Sequence, residues 1–238
     1  MKDTYIFRRV EKKYIIDKNV KEELLRRISS RLTPDVHGKS TICSLYLDTP
    51  DFLLIRNSIE ATVYKEKLRV RSYGLPKEDS KVFFEIKKKY KGVVYKRRVS
   101  MTYGEMREYL KNRVCPCEGQ IMNEIEWTMK FYRYPEPRAL IFYEREAYTC
   151  SDDESVRITF DTNVRYRTEK LTPEGGDLGK LIFPENTVIL EVKTGGGMPM
   201  WLSSTLDELK IYPSKCSKYG NAYAEIRDNK KKGEILNV

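Results

Sequence analysis

The sequence predicts an α+β fold in which a sheet closes into a barrel with a polar interior and helices pack around its outside. The stretch that begins at Glu66 breaks into three segments, EKLRVRSYG, KVFFEIKKKY and GVVYKRRVSM, each alternating charged and apolar residues. Successive strand side chains point to opposite faces. Arg69 and Arg71 therefore share one face and Leu68 and Val70 the other, Glu85 and Lys87 oppose Phe84 and Ile86, and Lys96 and Arg98 stand together. Other strand-like segments repeat this arrangement. On an open, solvated sheet so many cations would only repel one another. A closed sheet lets them line an interior, provided that amphipathic helices cover its apolar side. The chain supplies several.

Residues 4–16 read as the first strand, with Arg9, Glu11 and Lys13 on one face. Asp17 or Asn19 caps a helix from about Val20 to Leu32, where Val20, Leu24, Ile28 and Leu32 recur at helical spacing before Thr33-Pro34 ends it. Strand 41–48 follows, then a turn-rich piece, TPDFLLIRNSI, and the three central strands. Thr102-x-x-Glu105 is a capping box that opens a helix to about Arg113. A second helix, 120–133, points Ile121, Ile125, Thr128 and Met129 toward a core. Segments 138–149, 155–162 and 164–169 return to strand, with Arg145 on the first and Arg157 and Asp161 on one face of the second. A Gly/Pro loop at 173–179, a strand at 187–194, a glycine loop at 195–197 and a helix starting at Pro199 follow. Residues from about 228 to 238 read as a solvated tail. No linker separates two composition regimes, so residues 1–238 are expected to form one domain.

Of the 238 residues 45 are Lys or Arg and 35 are Asp or Glu, a net charge of +10 that favours an anionic partner. The excess lies along the strands, so a basic tail does not account for it. No apolar run approaches a membrane span and MKDTYIFRR lacks a signal peptide's apolar region, and the scattered cysteines, read as reduced thiols, give the expectation of a cytoplasmic protein. The five scattered cysteines read as reduced thiols, and Cys115-Pro-Cys117 has no second pair with which to hold zinc. His37, the single histidine, is expected in a surface loop, which excludes His-based triads and metal sites. Gly38-Lys39-Ser40 lacks the strand and first glycine of a phosphate loop. Trp127 and Trp201 lie on predicted helices and are expected in packing. The 17 tyrosines match the β preference of that residue better than a base-stacking surface, so nucleic acid is not the expected partner.

Glu-x-Lys occurs on three predicted strands: Glu11/Lys13, Glu85/Lys87 and Glu191/Lys193. One such pair is an ordinary surface ion pair. Three of them, beside Arg-x-Arg and Lys-x-Arg strands, suit a different task. Arg and Lys grip phosphates, and carboxylates among them are useful when they hold Mg²⁺ or Mn²⁺, which bridge phosphate oxygens. That is the equipment of phosphoryl transfer.

Ordered along the chain stand Arg9…Lys13-Tyr14, LRVRSYG (68–74), VFFEIK (82–87), Lys96-Arg97-Arg98, Tyr143-Glu144-Arg145, VRITFDT (156–162), Leu190-Glu191-Val192-Lys193 and Lys215-Cys216-Ser217-Lys218-Tyr219. With this set the chain resembles the VTC (vacuolar transporter chaperone) domain, the polyphosphate polymerase branch of the triphosphate tunnel metalloenzymes. The resemblance implies an eight-stranded antiparallel tunnel surrounded by helices. It implies that Lys13, Arg69, Arg71, Lys87, Lys96, Arg98, Arg145, Arg157, Lys193, Lys215 and Lys218 line a phosphate path, the last two from a C-terminal helical segment. Arg69, Arg71, Lys87, Arg145 and Arg157 would hold ATP or another triphosphate. Glu191 would be the main ligand of Mn²⁺ or Mg²⁺, with Glu85 and Glu11 as candidate helpers. The implied reaction passes the ATP γ-phosphate to inorganic polyphosphate. Relatives of this family carry inositol-phosphate-sensing and membrane domains that this sequence does not show, so regulation and coupled translocation are not carried over, and whether a separate chain serves as membrane partner stays open. Glu11 resembles the hydrolytic branch, so triphosphate hydrolysis stays open, as does a non-catalytic polyphosphate- or RNA-binding module.

Overall fold

The computed structural model describes residues 10–235 apart from 62, 92, 173–175 and 177, with backbone alone for His37 and 230–235. Arg9, the start of the first predicted strand, part of the Gly/Pro loop and the last three residues lie outside the described residues. The strands are β1 (Val10–Asp17), β2 (Leu32–Asp48), β3 (Tyr64–Tyr73), β4 (Lys81–Tyr90), β5 (Val93–Thr102), β6 (Glu136–Cys150), β7 (Arg157–Arg167), β8 (Lys180–Leu181) and β9 (Thr187–Thr194). The helices are α1 (Lys18–Ile28), α2 (Leu53–Glu60), α3 (Tyr103–Asn112), α4 (Gln120–Phe131), α5 (Met200–Glu208) and α6 (Lys218–Ile235).

Strands pair in the order β1-β9-β7-β6-β2-β3-β4-β5, with the two-residue β8 on β7. The path is open. Among the described residues β1 and β5 end it without pairing to each other, so the expected closed barrel is corrected to an open antiparallel sheet. Its last strand carries Lys96-Arg97-Arg98, and charges on both faces are a common guard against further strand pairing.

The chain divides into two compact units, and β2, β6 and β7 each contribute residues to both. One unit comprises residues up to Ser40, Glu144–Asn163 and Phe183–Cys216. Here Tyr14 and Ile16 of β1, Ile158 and Phe160 of β7 and Val188, Leu190 and Val192 of β9 bury a core under Leu24 and Ile28 of α1 and Leu202 and Leu206 of α5. The other unit comprises Thr41–Tyr143, Val164–Ile182 and residues from Ser217 on. There Leu45, Leu47, Leu68, Val70, Phe84 and Ile86 pack beneath Met106 and Tyr109 of α3 and Met122, Ile125 and Met129 of α4. Both cores use the apolar alternates that the period-two pattern assigns to one face.

Several expectations change. The first helix stops at Ile28 and β2 begins at Leu32, so the backbone of His37 lies in a strand. Pro34 is no obstacle there, because φ near −65° suits an extended segment. Segments 155–162 and 164–169 are one strand, β7, passing through Asn163 at φ +51°. The turn-rich piece contains α2, and α6 extends through Ile235 into the stretch read as tail. Trp127 does not pack inward. It is 59% exposed and stacks on Phe131 at 5.1 Å. At α3 the capping box forms as expected: Thr102 Oγ1 accepts from Glu105 N–H, and Glu105 accepts from Thr102 N–H.

Candidate functional site

In the second unit the antiparallel register aligns the charged face. Arg69 lies opposite Glu85, which lies opposite Arg98, and Lys67, Lys87 and Lys96 form the next row. Arg71 lies opposite Phe83, over whose ring Arg98 sits at 4.8 Å. Glu85 is the anion of this face and is only 1% exposed. Arg69 donates from Nε to its Oε2 at 2.8 Å, and Lys96 Nζ reaches its Oε1 at 2.6 Å. Burial alone would raise the pKa of Glu85, but Arg69, Arg71 and Lys96 outweigh it and hold the carboxyl at about 2. Both its oxygens are thus engaged by cations.

Tyrosines complete this face. Tyr46 of β2 lies opposite Arg69, which donates to its hydroxyl at 3.3 Å, and Arg71 donates to Tyr143 at 3.3 Å. Lys218, the first residue of α6, sits 4.4 Å above the Tyr143 ring. The charge motifs single out neither Tyr46 nor Lys67. Their signal is parity alone, since Lys67 falls two residues before Arg69.

In the first unit β1 and β9 form a square of alternating charge, with Lys13 opposite Glu191 and Glu11 opposite Lys193. Lys13 Nζ lies 3.4 Å from Glu11 and 3.5 Å from Glu191, and Lys193 reaches the other Glu191 oxygen at 2.6 Å. Burial works against a charge on Lys13, but Glu191 and Glu11 outweigh it and raise its pKa above the ordinary value. On β7, Thr159 lies opposite Glu191, and its buried hydroxyl has no hydrogen-bond partner. Arg145 binds Asp161 through two hydrogen bonds of 2.6 and 2.8 Å, and Arg157 pairs with Asp35 at 2.5 Å. Lys215 is exposed in the segment between α5 and α6, where Ser214 N–H donates to the Lys13 carbonyl at 2.8 Å. It is not part of a helix, unlike Lys218.

No group of three or more His, Cys, Asp or Glu side chains gathers as a metal site among the described residues. The oxygens near Glu191 nonetheless fit a hard divalent cation held in the manner common for Mg²⁺, by one or two carboxylates with substrate phosphates and waters filling the rest. Glu191, Glu11 and the orphaned Thr159 hydroxyl are oxygen donors of that kind.

The model of the VTC domain matches residues 8–227. The chain belongs to the VTC domain family. No curated protein matches it. This VTC domain is similar in structure to a Bacillus halodurans protein assigned as an adenylate cyclase, with a TM-score of 0.55 and 13% identity over 87% of this chain and 92% of that one. It is also similar to a Hippeastrum protein described as an adenylyl cyclase with a dominant triphosphatase activity, with a TM-score of 0.51 and 14% identity over 89% and 93%. At these identities the likeness establishes a shared fold. No helix among the described residues is long and apolar enough to cross a membrane.

The electrostatics of the VTC domain's β3–β5 face predict a pH dependence. Burial, opposed by Glu85 and aided by Arg71 and Arg69, lowers Lys96 to about 8. Burial would raise Tyr46, but Arg69, Lys67 and Arg71 bring it down to about 8 as well. Raising pH through 8 therefore removes a positive charge at Lys96 and adds a negative one at Tyr46. Both changes make this face less positive, so its affinity for an inorganic polyanion such as tripolyphosphate is expected to fall above about pH 8 in a binding profile, giving a descending limb there. Lys96→Arg together with Tyr46→Phe should move that limb to higher pH. An unchanged limb in the double variant would assign it elsewhere.

Proposed function

We propose that this VTC domain is a phosphotransferase that moves the γ-phosphate of ATP onto inorganic polyphosphate. The observation that carries the reading is the β3–β5 face, on which Arg69, Arg71, Lys96 and Arg98 surround a single buried carboxylate in a chain of this family. Such a face supplies positioning and charge neutralisation, the main needs of phosphoryl transfer. Arg69 and Arg71 offer planar guanidinium groups for bidentate phosphate contact, while Lys87 and Lys96 act as point charges. Lys13, Arg145, Arg157, Lys193, Lys215 and Lys218 are assigned to further phosphates. Glu191 is the main metal ligand and Glu11 its helper. Glu85, more deeply buried than Glu191, serves better as the anion that holds Arg69 and Lys96 in place. Bound Mg²⁺ or Mn²⁺ would neutralise phosphate oxygens during transfer. In the transfer itself a terminal polyphosphate oxygen forms a bond to the γ-phosphorus as the bond to the β-phosphate oxygen breaks, releasing ADP.

A second reading is triphosphate hydrolysis, with water in place of the polyphosphate oxygen. It is favoured by Glu11 and Glu191, which share Lys13 as an ion-pair partner, and by the activity described for the Hippeastrum protein. Incubating the purified protein with ATP and Mn²⁺ or Mg²⁺, and separating the products by length on a gel, tests both. Long chains with ADP support the polymerase. Free phosphate without chains replaces it with the triphosphatase, and intact ATP in the presence of phosphate primers leaves a binding module.

A further inference from the structure

Asp48, at the end of β2, is 0% exposed, and its carboxylate ties two helices together. Its oxygens accept from the backbone N–H groups of Leu54 and Ile55 in α2 at 2.8 and 3.1 Å, and from Tyr219 Oη in α6 at 2.9 Å. The Tyr219 ring stacks on Tyr46 with 4.3 Å between centroids. Tyr46 stands on the charged face, opposite Arg69. Ser217, just before α6, accepts from Lys67 Nζ at 2.8 Å and from its own helix's Gly220 N–H at 3.1 Å. The opening turn of α6 is therefore held against the charged face by a buried hydrogen bond, a ring stack and a contact from Lys67.

One turn further on, the Tyr223 ring meets Phe52, the residue before α2, at 5.3 Å. The apolar stripe of α6 is narrow, with Tyr219, Ala222 and Ile226 its buried apolar residues among those described. Lys218, next to Tyr219, projects over Tyr143, the same ring whose hydroxyl accepts from Arg71. We propose that Asp48 and Tyr219 are positioning residues, which hold the start of α6 so that the Lys218 ammonium joins Arg71 at Tyr143 as part of the phosphate-binding face. This rests on the reading of that face as a phosphate site. A lysine tethered at its helix start loses less freedom on gripping a phosphate than one on an undocked segment.

The test is calorimetric binding of inorganic tripolyphosphate to the full chain, because it needs neither turnover nor a metal. Tyr219→Phe keeps the ring stack and removes the hydroxyl that Asp48 holds. It is expected to weaken binding by about fivefold, and Lys218→Ala by about tenfold, with the double variant no weaker than Lys218→Ala, since contacts acting through one group are not additive. Tyr219→Phe binding like the wild type, or a double variant losing the product of both factors, overturns the proposal. Should Tyr219→Phe fold poorly, Ser217→Ala removes the second tether and is expected to cost about twofold, again absent without Lys218. Wild-type protein that does not bind tripolyphosphate removes the phosphate face itself, and the inference with it.

Discussion

Glu191→Gln is expected to lower turnover by at least ~10³-fold while the protein stays folded, because a neutral amide is a poor ligand for a divalent cation on phosphate oxygens. Folding should survive for a local reason. Glu191 holds Lys13 and Lys193, yet Glu11 lies 3.4 Å from Lys13 and remains as its counter-ion. The amide oxygen also still accepts a hydrogen bond, so the stability loss should stay near ~1 kcal/mol. The measurement is a titration of activity against Mn²⁺ at saturating ATP, with thermal unfolding alongside. Glu11→Gln is the companion variant. A smaller loss there places Glu11 in support, whereas an equal loss makes the two carboxylates a joint site of the hydrolytic kind. Full activity in Glu191→Gln would move the metal away from this strand pair altogether.

Where one residue in two faces a core, the sequence is readable. β3, β4, β5 and β9 lie where alternation puts them, because burying Leu68, Val70, Phe84 and Leu190 on one side forces Arg69, Arg71, Glu85 and Glu191 to the other. α2 is not readable, for a physical reason. Its preceding residue, Phe52, is in the left-handed region at φ +59°, and Thr49 and Asp48 accept its first N–H groups from four or more residues upstream. Local propensity does not encode such a cap. α6 is hidden by its Gly220 and Asn221 and by its narrow apolar stripe, so tertiary contacts at Tyr219 outweigh weak intrinsic helicity. The case for closing the barrel rests on charge repulsion. Glu85, Asp161 and Glu191 instead neutralise much of that charge within each unit. The charged faces themselves are legible as patterns, but the partner of each cation is set by strand register, which alternation alone does not determine.

Glu85→Gln is expected to destabilise the fold by about 3 kcal/mol, because it leaves Arg69, Arg71 and Lys96 facing one another without their buried anion. For a chain of this size that corresponds to a Tm roughly 10 °C lower. The wild type should also show a pH effect that the variant lacks. The folded-state pKa of Glu85 lies below its ordinary value of 4.5, at about 2. Its stabilising contribution is therefore complete above 4.5 and is lost as pH falls toward 2, whereas the amide that replaces it has no proton to bind. A site built for phosphate makes a further demand on this variant. Tripolyphosphate supplies the missing negative charge, so it should raise the Tm of Glu85→Gln more than that of the wild type. Thermal unfolding with and without tripolyphosphate checks both statements. Equal shifts in the two proteins would mean that Glu85 balances these cations for folding alone, and that phosphate is held by other residues.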